Sequence, residues 1–236
     1  MPIKKDSSGR RYVEAQAEIP GTPEQVWDAI ATGPGVSSWF VPTEKREDGS
    51  VVSNFGPGME SIARETVWEP PHRFAAESAG FGLGCPPIAT EWIVEANDGA
   101  TCTVRVVHSL FTDKDDWDKA LEQIESGWPD YFRILFLYRK HFPGQYAKLH
   151  QFLEITPKPV AEFWDSLVLP IAATPQHANS AGHPNQQILL TAEPPGIAHL
   201  FAMKMGPQTV VSLRLYQFGG EPINDTEWKE WLHTRV

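Results

Sequence analysis

DDWDKALEQIESGWPDYFRILFLYRK, residues 115–140, decides how the chain is read. Its large apolar residues fall at Trp117, Leu121, Ile124, Trp128, Phe132 and Leu135. Steps of three and four draw one stripe down an α-helix. The charged residues Asp118, Lys119, Glu122, Glu125 and Arg133 lie mostly off that stripe. About seven turns is long for a globular helix, so a broad surface is expected beneath it. Gly127 and Pro129 flank Trp128 and predict a kink, because proline cannot donate a backbone hydrogen bond inside a helix. What precedes reads as one short helix and a set of strands, so the expected partner is a curved antiparallel sheet.

Upstream, residues 1–10 are polar and expected to fray. Tyr12 to Ile19 alternates as a strand until Pro20-Gly21 breaks it. Thr22 then caps a helix, with Pro23 at its first position and Gln25 at its third, close to a capping box. Val26, Trp27 and Ile30 share one face of that helix, and Gly33-Pro34-Gly35 ends it. Val36 to Phe40 reads as a further turn ending in Trp39-Phe40, a pair that looks exposed. Strands follow at Ser50–Phe55, Glu60–Trp68, Arg73–Ser78, Thr90–Ala96 and Thr101–Phe111. Glu69-Pro70-Pro71 closes the second of these, and Asn97-Asp98-Gly99 is a hairpin signal between the last two. Parity puts Trp92 and Val94 on one side with Cys102, Val104, Val106, His108 and Leu110, facing the helix.

Three segments, PEQVWDAI…SSWF, ESIARETVWEPPHRF and SGWPDYF, resemble the START-like, helix-grip superfamily often called SRPBCC. Within it they look most like the proteins similar to the C-terminal domain of the activator of the heat-shock protein 90 ATPase. The resemblance covers about Tyr12 to Phe142. It implies an α+β, helix-grip fold: a curved antiparallel sheet wrapped on a long C-terminal helix, with a cavity between them. The superfamily includes lipid carriers, hormone receptors, polyketide cyclases and co-chaperones, so fold alone does not name a function.

The chain has 236 residues, 41% of them hydrophobic, and a net charge of −10. Without a clustered basic stripe it is a poor candidate for nucleic acid, since phosphate neutralisation supplies most of that affinity. Anionic membrane surfaces would repel it. No stretch approaches the ~18 apolar residues of a membrane span, and MPIKKDSSGRR is no signal peptide. Two cysteines, Cys85 and Cys102, give no disulfide framework, and Cys102 reads as a small buried hydrophobe. A cytoplasmic protein without cofactor is expected.

The second half repeats landmarks of the first. Glu18-Ile19-Pro20 with Trp27-Asp28 recurs as Glu154-Ile155-Thr156-Pro157 with Trp164-Asp165. Glu69-Pro70-Pro71 recurs as Glu193-Pro194-Pro195, and Asp116-Trp117, loosely, as Glu227-Trp228. Their shared order points to a degenerate, truncated second copy. The expected domains are residues 11–143 and 149–236, with the boundary near Pro143-Gly144. In the second, Val160–Leu169 reads as the short helix and Pro170–Gln186 as a loop. Gln187–Thr191, Ala198–Met203 and Thr209–Phe218 read as strands, and Asp225–Val236 as a helix. Missing strands leave such a copy little core of its own.

No P-loop, HExxH, GxSxG or strand-borne GxGxxG occurs. Gly80 to Gly84 runs into Cys-Pro-Pro and reads as a loop, not a phosphate cradle. His177 and His183 lack a neighbouring cysteine or carboxylate, so no metal site is expected. His108, on the helix-facing side, has two readings. It orients a polar ligand group or acts as a base, or it is a core histidine bonded to a carbonyl. Arg64 shares parity with Ile62, Thr66 and Trp68; it reaches a ligand carboxylate in a pocket or lies at a sheet edge with its head in water. Trp39, Phe40, Phe55, Trp68, Phe74, Trp92, Trp128 and Phe132 line a greasy pocket or fill the core. Trp27 and Trp117 are assigned to packing. The leading reading is non-catalytic binding of a small hydrophobic or amphipathic molecule. The alternatives are a co-chaperone-like module whose partner is a chaperone or other protein, and a cyclase-like enzyme using His108.

Overall fold

The structure, a computed structural model, describes residues 3–5, 10–56, 58–79, 87–111, 118–177 and 185–236. The chain divides into two units, Met1–Gly144 and Gln145–Val236.

The first unit runs β1 (Lys4–Lys5), β2 (Arg10–Pro20), α1 (Pro23–Ala31), α2 (Gly33–Ser37), β3 (Thr43–Lys45), β4 (Ser50–Asn54), β5 (Glu60–Glu69), β6 (Arg73–Ser78), β7 (Ile88–Asn97), β8 (Thr101–Phe111) and α3 (Asp118–His141). Its strands form one antiparallel sheet in the order β1-β2-β8-β7-β6-β5-β4-β3. The first long strand therefore closes against the last. The hairpin read from Asn97-Asp98-Gly99 joins β7 to β8 with Asn97 opposite Thr101, and Gly99 and Ala100 take the positive φ of 85° and 59° that the turn requires. Trp92 sits opposite Val106 and Val94 opposite Val104, as parity predicts. Cys102, Val104, Val106 and Leu110 are buried.

Thr22 caps α1 through a complete capping box. The Gln25 amide donates to Thr22 Oγ1 at 3.4 Å, and the Thr22 amide donates to Gln25 Oε1 at 3.1 Å. Three local expectations need correction. Lys4 and Lys5 pair with Tyr12 and Arg11, so that part of the polar N-terminus is a strand. The short strand β3, not read from the sequence, pairs with β4 at the sheet edge. Trp39 is not exposed: it is 1% accessible, and its indole N–H donates to the Ala29 carbonyl at 2.8 Å.

Helix α3 carries Pro129 in its interior without ending there. The stripe residues Trp128, Phe132 and Leu135 are buried. Ile134, Leu137 and Tyr138, off the stripe, are buried as well. Trp117 and the side chains of Leu121 and Ile124 lie outside the described residues, as do Cys85, His183 and the Gly80–Gly84 loop.

The second unit runs β9 (Lys148–Thr156), two 3-10 turns (Val160–Glu162 and Trp164–Ser166), β10 (Ala173–His177), β11 (Gln186–Ala192), β12 (Pro195–Met205), β13 (Gln208–Gln217) and α4 (Asp225–His233). Its sheet has the order β10-β11-β12-β13-β9. The short helix expected at Val160–Leu169 is instead the two 3-10 turns. Pro159 at the start of the first offers no side-chain acceptor for the free amides, unlike Thr22. The loop expected over Pro170–Gln186 contains β10. Pro175 is tolerated there because β10 is an edge strand. Phe152, Leu200, Leu213, Trp228, Trp231 and Leu232 belong to one buried cluster, so this unit carries a core of its own, contrary to expectation.

Candidate functional site

Between the sheet of the first unit and its helices lies a cavity of about 350 Å³. Rings make much of its wall. Trp39, Phe40, Phe55, Phe74, Trp92 and Trp128 line it, together with Ile30, Val36, Val51, Ala63, Ala76 and Ile88. The rings brace one another. Trp92 meets Trp128 edge-on at 5.2 Å and stacks on Phe74 at 6.1 Å. Phe40 stacks on Trp128 at 5.6 Å and meets Phe55 edge-on at 5.7 Å. Edge-on and offset contacts of this kind fix ring positions beyond what area burial does.

His108 lies in this wall, 8% exposed and stacked on Trp128. The Trp128 indole N–H donates to His108 Nε2 at 2.9 Å. An indole nitrogen only donates, so Nε2 is the bare nitrogen and Nδ1 carries the proton. Nδ1 then donates to Thr90 Oγ1, also at 2.9 Å. Burial pushes the His108 pKa down to about 4. Of the two readings, the structure has a buried, fully bonded histidine, although its partners are side chains and not a carbonyl. Its basic lone pair is occupied by Trp128.

Three predicted site residues fall elsewhere. Arg64 is exposed on the far face of the sheet: Ser61, Ala63 and Glu65 line the cavity, and Arg64 alternates with them. Trp68 does not share its face. Glu65 pairs with Ala76 but Val67 pairs with Ala75, so Thr66 is the extra residue of a bulge. The bulge returns Trp68 to the face of its partner Phe74. There it packs on Trp27 at 4.9 Å and stays 42% exposed outside the cavity lining. Phe132 is buried beneath the cavity, against Trp92 and Trp128, and does not line it.

Sequence reasoning missed Tyr131, Thr90, Lys45 and Glu65, which do line the cavity. Tyr131 is three positions from Trp128, on the flank of α3 that also presents Gly127; the cavity lies on that flank, and Phe132 faces the sheet. Thr90 sits directly opposite His108 in the β7–β8 register, a placement already implied by the hairpin turn. Lys45 belongs to the unread strand β3. Its ammonium bonds Glu65 at 2.7 and 2.9 Å and stands 4.3 Å over the Trp68 ring. Among the described residues there is no cluster of metal-ligating side chains, and no helix long and apolar enough to cross a membrane.

No family model and no curated protein matches the chain. Solved structures do. The di-domain ARO/CYC BexL from the BE-7585A biosynthetic pathway is similar over 95% of this chain and 93% of its own, at 13% identity and a TM-score of 0.51. DynU16, from the dynemicin biosynthetic locus, is similar over 94% of this chain and 93% of its own, at 16% identity and a TM-score of 0.47. Aha1 from Colwellia psychrerythraea, solved as a dimer, matches 56% of this chain and 98% of its own, at 17% identity and a TM-score of 0.46. These neighbours are SRPBCC, helix-grip proteins. The chain has that α+β fold, as the likeness to BexL and the antiparallel sheets with few helices show.

Proposed function

We propose that the first unit binds a small, largely apolar molecule in the cavity between its sheet and α3, without catalysing a reaction on it. The observation that carries this reading is the cavity itself, about 350 Å³ and lined in large part by braced aromatic rings, where a tightly packed interface would otherwise be expected. A cyclase-like role for His108 is disfavoured, because Trp128 occupies the nitrogen a base would use. A co-chaperone-like module would call for an outward surface and gives the cavity no role. The cavity-lining residues proposed to meet the ligand are Trp39, Phe40, Phe55, Phe74, Trp92, Trp128, Tyr131 and Thr90. Native mass spectrometry of the freshly purified chain tests the reading. The expected result is a small molecule that leaves on unfolding. A bare protein mass that stays bare after incubation with apolar aromatic compounds contradicts it.

We further infer that residues 149–236 are a truncated copy of residues 11–143. In each unit the first long strand pairs with the last, β2 with β8 and β9 with β13, and a helix follows. Likeness to a di-domain protein over 95% of the chain supports this. One landmark does not: Glu69-Pro70-Pro71 precedes the third strand from the helix, and Glu193-Pro194-Pro195 the second. In a crystal structure of residues 145–236, β9, β13 and α4 should superpose on β2, β8 and α3; a helix on the opposite face of the sheet would contradict the repeat.

A further inference from the structure

The bonding around His108 leaves one proton unaccounted for, on Thr90. Trp128 can only donate, so His108 Nε2 accepts and Nδ1 is the donor to Thr90 Oγ1. Thr90 Oγ1 therefore accepts from the imidazole, and its own O–H must point elsewhere. Among the described residues that hydroxyl has no other hydrogen-bond partner. Thr90 lines the cavity, with the rings of Trp92 and Trp128 beside it. We infer that the Thr90 hydroxyl is a fixed hydrogen-bond donor to the bound molecule, and that the ligand class is therefore an apolar, ring-sized compound carrying a carbonyl or comparable acceptor oxygen.

The chain Trp128 N–H to His108 to Thr90 O–H runs in one direction, each member donating to the next, and ends in the cavity. The threonine and serine hydroxyls elsewhere on the wall do not impose this polarity. Thr43 donates to the Val41 carbonyl and bonds Ser53, while Ser61 and Ser78 can donate or accept as an occupant requires. An occupant without an acceptor, packed over Thr90, would shut its proton off from water and leave it unpaired, which costs more than a hydrogen bond gains. His108 is thus a positioning residue: it sets the sense of the Thr90 hydroxyl and does not itself meet the ligand.

The inference rests on the proposed binding role, and a matched pair of probes separates the two. Fluorene and 9-fluorenone have nearly the same shape and differ by one carbonyl oxygen. Dissociation constants for both are measured with the full wild-type chain, Thr90→Ser and Thr90→Val. Wild type and Thr90→Ser should favour the ketone more than Thr90→Val does, with the ketone-to-hydrocarbon affinity ratio falling roughly fivefold in Thr90→Val, as loss of one neutral hydrogen bond would give. If both probes bind and the ratio is the same in all three proteins, the donor assignment is overturned while the binding role stands. If neither probe binds wild type, both fall. A measurement on wild type alone covers the case of a poorly folded valine variant. The infrared carbonyl stretch of bound 9-fluorenone should lie towards its position in an alcohol; a hexane-like frequency overturns the assignment.

Discussion

At His108 two partners and the surrounding rings hold the imidazole neutral. Protonation would put a second donor at Nε2, facing the Trp128 N–H that now donates to it. The native pKa of about 4 lies below the ordinary 6.5, so between those values the unfolded chain takes up a proton that the native chain refuses. The contribution of His108 to stability is therefore complete above about pH 6.5 and is lost as the pH falls towards 4. The shift corresponds to something on the order of 3 kcal/mol. Urea unfolding at pH 7 and pH 4.5 should show wild type losing more stability on acidification than His108→Gln. Equal losses would contradict the assignment. That His108 faces the helix was legible from strand parity; that it is saturated was not, because Trp128, which fills Nε2, comes from the helix, and no local signal sets the register of the helix on the sheet.

At the scale of elements, the β7–β8 hairpin and the capped helix α1 were legible because each is specified locally, by Asn97-Asp98-Gly99 and by Thr22 with Gln25. Strand β5 was not. Period-two reading assumes an unbroken ladder, and the bulge at Thr66 places Arg64 and Trp68 on opposite faces. Nothing in ARETVW marks an extra residue. The short strands β3 and β10 escaped because they are edge strands, held by their neighbours and not by an apolar pattern of their own. On α3, a stripe of large residues does not say which member meets a cavity and which meets the sheet. Phe132 meets the sheet side, so Phe132→Ala should destabilise the protein by about 3–5 kcal/mol in chemical denaturation, with affinity for cavity probes little changed. A variant as stable as wild type that binds probes more weakly would return Phe132 to the cavity wall.

For the molecule as a whole, the eight-stranded sheet and α3 of the first unit leave room that packing alone would not leave. The second unit has its own buried cluster and its own five-stranded sheet. Sequence landmarks hinted at its kinship with the first unit, but they could not fix its register, since a Glu-Pro-Pro turn fits any hairpin of suitable geometry. The most direct measurement of the binding role fills the space. Ala76 lines the cavity on β6, and Ala76→Trp would put an indole into it. Calorimetric titration of N-phenyl-1-naphthylamine into the wild-type full chain should give saturable, one-site binding. The same titration of Ala76→Trp should give none, with the thermal unfolding temperature held or raised. A wild type that shows no saturable binding, or a filled variant that binds as well as wild type, would contradict the account.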